Sequence, residues 1–189
     1  TGLANRSLLH EHLRLAIARA ERDRSRLGLL FLDLDQFKSI NDTLGHDVGD
    51  LLLKELAVRL QSCIRATDTL ARLGGDEFVV LLNGLQQRED CARLATKLMQ
   101  VLEAPVDISG ASLHVNTSIG IALFPEDGGS IEALMKNADM ALYAAKEAGK
   151  NRHEFFHAAM SENASRRREL ETALREALAN EDLSLHYQA

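Results

Sequence analysis

Two pairs of acids carry most of the chemical information in this chain. Asp33 and Asp35 close the apolar run "LGLLFLDLD", and Asp76 and Glu77 follow two glycines inside "TLARLGGDEFVVLL". Each pair stands where a segment that wants to be buried meets solvent. If the two segments lie side by side, up to four carboxylates gather at one rim. Like charges that close either raise their pKa values or recruit a cation. Oxygen ligands select hard ions, Mg2+ or Mn2+, which take a few protein oxygens and complete their shells with phosphate and water. Gly74 and Gly75 would let such a ligand approach the backbone closely. The alternative is two unrelated turns with ordinary surface acids.

The elements that must hold these acids follow from periodicity. Leu29 to Leu32 is continuously apolar, the pattern of a central strand covered on both faces. The polar stretch "QFKSINDTLGHDVGD" predicts a glycine-punctuated loop leading into a helix with Leu53, Leu56, Ala57, Leu60 and Ile64 on one face. A loop between strand end and helix start is a usual place for ligand-binding groups. Asp47 and Asp50 fall in or near the first helical turn, where the helix dipole favours an acid. The "TLARLGGDEFVVLL" segment predicts a hairpin with Gly74-Gly75 as its turn. Helices are expected over "NRSLLHEHLRLAIARAERDRS", over "REDCARLATKLMQVLEA" up to Pro105, and over "SIEALMKNADMALYAAKEAG" with Gly149 just past its end. "LHVNTSIGIALF" alternates, which predicts a strand with one face in the core, and "RHEFFH" is placed to close the sheet. The fold class expected is α+β, a ferredoxin-like or palm-type, mainly antiparallel sheet flanked by helices.

At 189 residues, 46% of them hydrophobic, the chain is long enough for one domain plus a remainder. A formal net charge of −6 argues against nucleic-acid binding through a basic face. Cys63 and Cys91 stand in no CxxC or zinc-ligand spacing and are expected as buried helix residues in a reducing cytoplasm. No run approaches the length of a membrane span, and no signal-peptide layout is present, so no membrane contact by this domain is expected. Any anchor would belong to regions outside this stretch. From Ser161 the composition turns charged and helical, with Leu170, Leu174, Ala177 and Leu178 as a narrow apolar stripe. The arginines at 166 to 168 read as a solvated face, because acids follow at once.

With "RLGGDEF", "FLDLDQFKSINDTLGHDVGD" upstream and "ADMALYAAKEAGKN" downstream, the chain resembles the GGDEF family of diguanylate cyclases from "TGLANR" to about His157. The resemblance implies a nucleotidyl-cyclase-like palm that condenses two GTP into cyclic di-GMP and two pyrophosphates, working as a homodimer. It implies that Asp33, the carbonyl of Leu34, Asp76 and Glu77 are metal ligands, and that Asp76 is the base for the attacking 3′-hydroxyl. Asn41 and Asp50 match the guanine-reading pair, His46 falls in the same loop, and Gly74 and Gly75 lie against the substrate. Lys38 matches a residue steadying phosphate charge, and Lys146 and Lys150 match a pair near the β- and γ-phosphates. An arginine is commoner in the family where this chain has Lys150, and an aromatic where it has Leu73. Arg65 and Asp68 match an RxxD site at which cyclic di-GMP inhibits its own synthesis. The tail "ELETALREALANEDLSLHYQA" resembles the linker and opening strand of an EAL phosphodiesterase. The expected organisation is therefore a GGDEF domain over 1–158, a helical linker over 159–180, and the first strand of an EAL domain over 181–189. The alternative function is a catalytically silent GTP-binding domain that tunes the EAL neighbour.

Overall fold

The computed structural model describes residues 1–108 and 110–162, with residues 166, 172, 173, 177, 178 and 180. The chain divides into two compact units, Thr1–Phe156 and His157–Ala189. In the second unit residues 158–162 are helical. Most of the expected linker and the whole of 181–189 lie outside the described residues.

The first unit is a five-stranded sheet flanked by helices. Its strands are β1 (Arg26–Leu34), β2 (Thr69–Gly74), β3 (Glu77–Leu85), β6 (Thr117–Phe124) and β7 (His153–Phe155), in the order β2-β3-β1-β6-β7. All neighbours are antiparallel except β6 and β7, which run parallel. A separate hairpin joins β4 (Val106–Ile108) to β5 (Ala111–Leu113). The helices are α1 (Arg6–Asp23), α2 (Phe37–Leu44), α3 (His46–Cys63), α4 (Glu89–Glu103) and α5 (Ile131–Glu147). This is the palm-like α+β fold expected. No helix among the described residues is long and apolar enough to cross a membrane.

Side-chain alternation sorts the strand residues between two layers. Leu30, Leu32 and Leu34 join Phe78, Val80 and the inner faces of α3 and α4 in the main core. Leu29, Phe31 and Asp33 point the other way, toward α1 and α5. α5 presses hard on this second face: a Cβ added to Gly120 would lie 2.0 Å from the Ala138 carbonyl oxygen and 2.1 Å from the Leu142 nitrogen. Asn5 caps α1 by accepting from the Leu8 amide at 3.0 Å, and Ser130 caps α5 by accepting from Ala133. These bonds satisfy donors that a helix start otherwise leaves orphaned.

Several expectations change. The alternating run is not one half-buried strand: Leu113 belongs to β5, and all eight residues of β6 are buried. Both faces of β6 are covered, and its polar residues are satisfied, Thr117 donating to the Asp33 carbonyl and Ser118 to Asp35. The polar loop after β1 is mostly helical, α2 and α3 being separated by Gly45 alone. Phe37, Ile40 and Leu44 have the helical spacing that its polar residues obscure. The hairpin turn is Gly75-Asp76, not Gly74-Gly75, because Gly74 pairs with Glu77 across the ladder. Leu73 is the extra residue of a bulge in β2, which shifts the register by one. Cys91 is buried, its thiol pushed up to about 12 by burial, but Cys63, the last residue of α3, is only half-buried.

Candidate functional site

The ladder between β1 and β3 places Asp33 opposite Glu77. Because opposed residues project to the same face, both carboxylates point toward α1 and α5 at the rim of the sheet. Asp76 sits in the adjoining turn. Gly75, at φ 50°, takes the left-handed conformation this turn needs, and the space over it is open. Arg72 donates from Nε to the Gly75 carbonyl at 2.9 Å, which pins the turn. Leu34 buries its side chain in the core, so only its main chain can serve at the rim.

From α5, the Lys146 ammonium lies 2.7 Å from an Asp33 carboxylate oxygen. Burial raises the Asp33 carboxyl above its ordinary pKa, Lys146 draws it back, and the charges of Asp76 and Asp35 push it up further. Glu77 is raised by burial first, then by Asp33, Asp139 and Asp76, with Arg6 opposing. Asp139, seven residues before Lys146 on α5, is itself raised by burial although its residue still reaches solvent. Sequence reasoning passed over Asp139. Its helical spacing from Lys146, two turns along one face, is the signal that could have found it.

Asp35 does not join this rim. It is buried, accepts from Ser118 Oγ at 2.9 and 3.1 Å and from the Asn151 amide at 3.1 Å, and so ties the end of β1 to β6 and to the loop after α5. That loop carries Lys150, exposed and at φ 64°. Lys38 is exposed on the first turn of α2.

The expected guanine readers lie on the opposite side of the rim, on α2 and α3. The Oδ1 of Asn41 is buried and without a hydrogen-bond partner. A buried acceptor left unpaired costs about 1–3 kcal/mol, so this atom marks a place where a ligand could bond. Asp50 on α3 is exposed, as is His46 at its first position.

Arg65 and Asp68 precede the start of β2, whose other end leads into the acidic turn, and they line a separate cavity of about 570 Å3, together with Asp90, Arg93 and Lys97. Asp68 does not pair with the Arg65 guanidinium: its carboxylate accepts from the amides of Arg65 at 3.1 Å and Asn83 at 3.2 Å. Arg93 is paired with Asp90, and Lys97 reaches the Cys63 carbonyl at 3.3 Å.

Among the described residues no group of three or more histidines, cysteines or acids is arranged to hold a metal by itself. The donor chemistry nevertheless fits Mg2+ or Mn2+, with Asp33 and Glu77 face to face and an ammonium already compensating Asp33. A carboxyl whose folded pKa exceeds its unfolded value favours folding at low pH and loses that advantage as pH rises through the folded pKa. The ligand-free domain is therefore expected to lose stability relative to its Asp33→Asn variant as pH rises from about 4 toward neutrality. Thermal melting of the two proteins across that range should show a widening Tm gap in favour of the variant. A gap independent of pH contradicts it.

Fold and site together define a palm-type domain with an acidic, glycine-turned rim. The chain belongs to the GGDEF family: the family model for the diguanylate cyclase GGDEF domain matches residues 1–152. It is 48% identical over 188 residues to the bifunctional diguanylate cyclase/cyclic di-GMP phosphodiesterase MucR of Pseudomonas aeruginosa, covering 100% of this chain and 27% of that protein. It is 41% identical over 191 residues to the cyclic di-GMP phosphodiesterase NbdA of the same organism, covering 100% of this chain and 24% of that one. The chain thus spans about a quarter of the length of these curated relatives. The solved GGDEF domain of P. aeruginosa TpbB superposes with a TM-score of 0.85 at 38% identity, over 87% of this chain and 96% of that one.

Proposed function

We propose that the domain is an active diguanylate cyclase, joining two GTP into cyclic di-GMP. The observation that carries this reading is Asp33 facing Glu77 across adjacent strands, beside an open Gly75-Asp76 turn and in contact with Lys146. In this reading Asp33, the Leu34 carbonyl, Asp76 and Glu77 hold Mg2+ or Mn2+. When bound, the ion supplies charge neutralisation for an in-line displacement at phosphorus. Asp76, standing in the turn itself, accepts the proton of the attacking 3′-hydroxyl. Lys38, Lys146 and Lys150 bind the triphosphate, so Lys146 exchanges its Asp33 partner for phosphate oxygen. Lys150 offers a point charge where an arginine would offer a planar fork.

Asn41 and Asp50 read the base, with His46 beside them. A carboxylate accepts from the N1–H and the 2-amino group of guanine, both of which adenine lacks. One such site binds one GTP, so the reacting pair requires two domains facing each other about a two-fold axis. The reaction belongs to the cytoplasm, where GTP is found, and in the longer protein an EAL domain follows.

The cavity at Arg65 and Asp68 is proposed as the product-inhibition site, since Arg65, Arg93 and Lys97 line it and suit the two phosphates of cyclic di-GMP. Asp68 contributes by fixing the Arg65 backbone. Arg65→Ala is expected to raise the product concentration needed for half-inhibition at least about tenfold. Initial rates with GTP and Mg2+, with and without added cyclic di-GMP, check it.

A second reading is a silent GTP-binding domain that regulates an attached EAL phosphodiesterase. It is favoured by the likeness to NbdA, which is named a phosphodiesterase, over the whole chain. The Arg65→Ala chain, freed of product inhibition, separates the two. One cyclic di-GMP and two pyrophosphates for every two GTP consumed support the cyclase, and GTP bound without product supports the sensor.

A further inference from the structure

Gly49 stands on the fourth position of α3, in ordinary helical backbone. Glycine is a poor residue there, because it gives up more conformational freedom than any other when a helix forms. Its φ is not positive, so the backbone does not ask for it. The reason lies in its neighbours. A Cβ at residue 49 would fall 1.9 Å from Asn41 Oδ1, 3.0 Å from Asn41 Cγ and 3.2 Å from Phe37 Cζ. The carboxamide of Asn41 therefore rests directly on the bare Cα of α3, and its oxygen is the one buried, unpartnered side-chain polar atom among the described residues.

We infer that Gly49 is a positioning residue for base recognition, holding the Asn41 carboxamide at the depth from which it meets guanine. The inference rests on the guanine-reading role proposed for Asn41. A methyl group at this position would not break the fold, since what it strikes is mainly the movable end of a short side chain, and alanine is the better helix former. It would push the carboxamide outward and turn it from the base. Asp50, next in sequence, would keep its place on the helix, so the loss falls on Asn41 alone.

The test is titration with 3′-deoxy-GTP and Mg2+, a ligand without the attacking hydroxyl, so that binding is read apart from turnover. Parent, Gly49→Ala, Asn41→Ala and the double variant are compared, with melting temperature measured in parallel. Gly49→Ala is expected to weaken binding about 10- to 100-fold, as loss of one buried hydrogen-bonding group does. The double variant should bind no more weakly than Asn41→Ala, and Gly49→Ala should melt at or above the parent. Parent-like binding by Gly49→Ala, losses that multiply in the double variant, or a sharp fall in melting temperature would each overturn the inference. If Asn41→Ala binds like the parent, the guanine-reading role itself fails, and the inference fails with it.

Discussion

Asp33→Asn is expected to lower GTP turnover at least about a hundredfold while leaving the domain folded. The substitution is nearly isosteric, so the packing at the end of β1 survives, and the Thr117 hydroxyl still has the residue-33 carbonyl to bond. Three things are lost together. The rim loses a carboxylate opposite Glu77, Lys146 loses its 2.7 Å partner, and the field that raises Glu77 is weakened. The same change should make the ligand-free domain more stable at neutral pH, because a half-buried acid held above its ordinary pKa opposes folding when ionised. Sites that gather like charges for chemistry commonly trade stability for it. Rates of cyclic di-GMP formation and melting temperatures on the same preparations check both halves. An active variant, or an inactive one that melts early, contradicts the prediction.

Gly120→Ala should do the reverse and remove stability and activity together. Its Cβ would collide with backbone, the Ala138 carbonyl oxygen and the Leu142 nitrogen and Cα, none of which can rotate away. Either α5 lifts off β6 or the strand shifts. Overpacking of this severity costs about 3 kcal/mol or more, which for a domain of this size lowers Tm by roughly 6–12 °C. Because α5 carries Asp139 and Lys146, lifting it draws the ammonium away from Asp33. Differential scanning calorimetry beside the turnover assay reads the two effects. A wild-type Tm would mean that α5 and β6 do not approach as closely as described.

The contrast between these substitutions bears on what a sequence can reveal. The central strand, the acidic hairpin and α5 with Gly149 beyond it were legible, because apolar runs and helical spacing report burial directly. The pairing of Asp33 with Glu77 was legible only as a condition, since no local pattern states which strands are neighbours. β6 misled because Ser118, on the face alternate to Thr117 and Ile119, looks solvent-facing, and only its bond to the buried Asp35 carboxylate explains why it is not. For the same reason Asp35 looked like a fourth rim acid. α2 was hidden by polar residues on its outer face and by Gly45, whose φ of 89° separates two helices rather than opening a loop. The turn was misplaced by one residue because the bulge at Leu73 follows from pairing, which the glycines alone do not encode.

Synthesis of cyclic di-GMP by this domain is proposed to require that two copies meet. This proposal is tested most directly by the initial rate of cyclic di-GMP formation at saturating GTP and Mg2+, measured against chain concentration in the Arg65→Ala background. The rate per chain is expected to rise in proportion to concentration while the protein is mainly monomeric, then to level off as dimers saturate. A rate per chain that is constant throughout, or absent while GTP is bound, contradicts it.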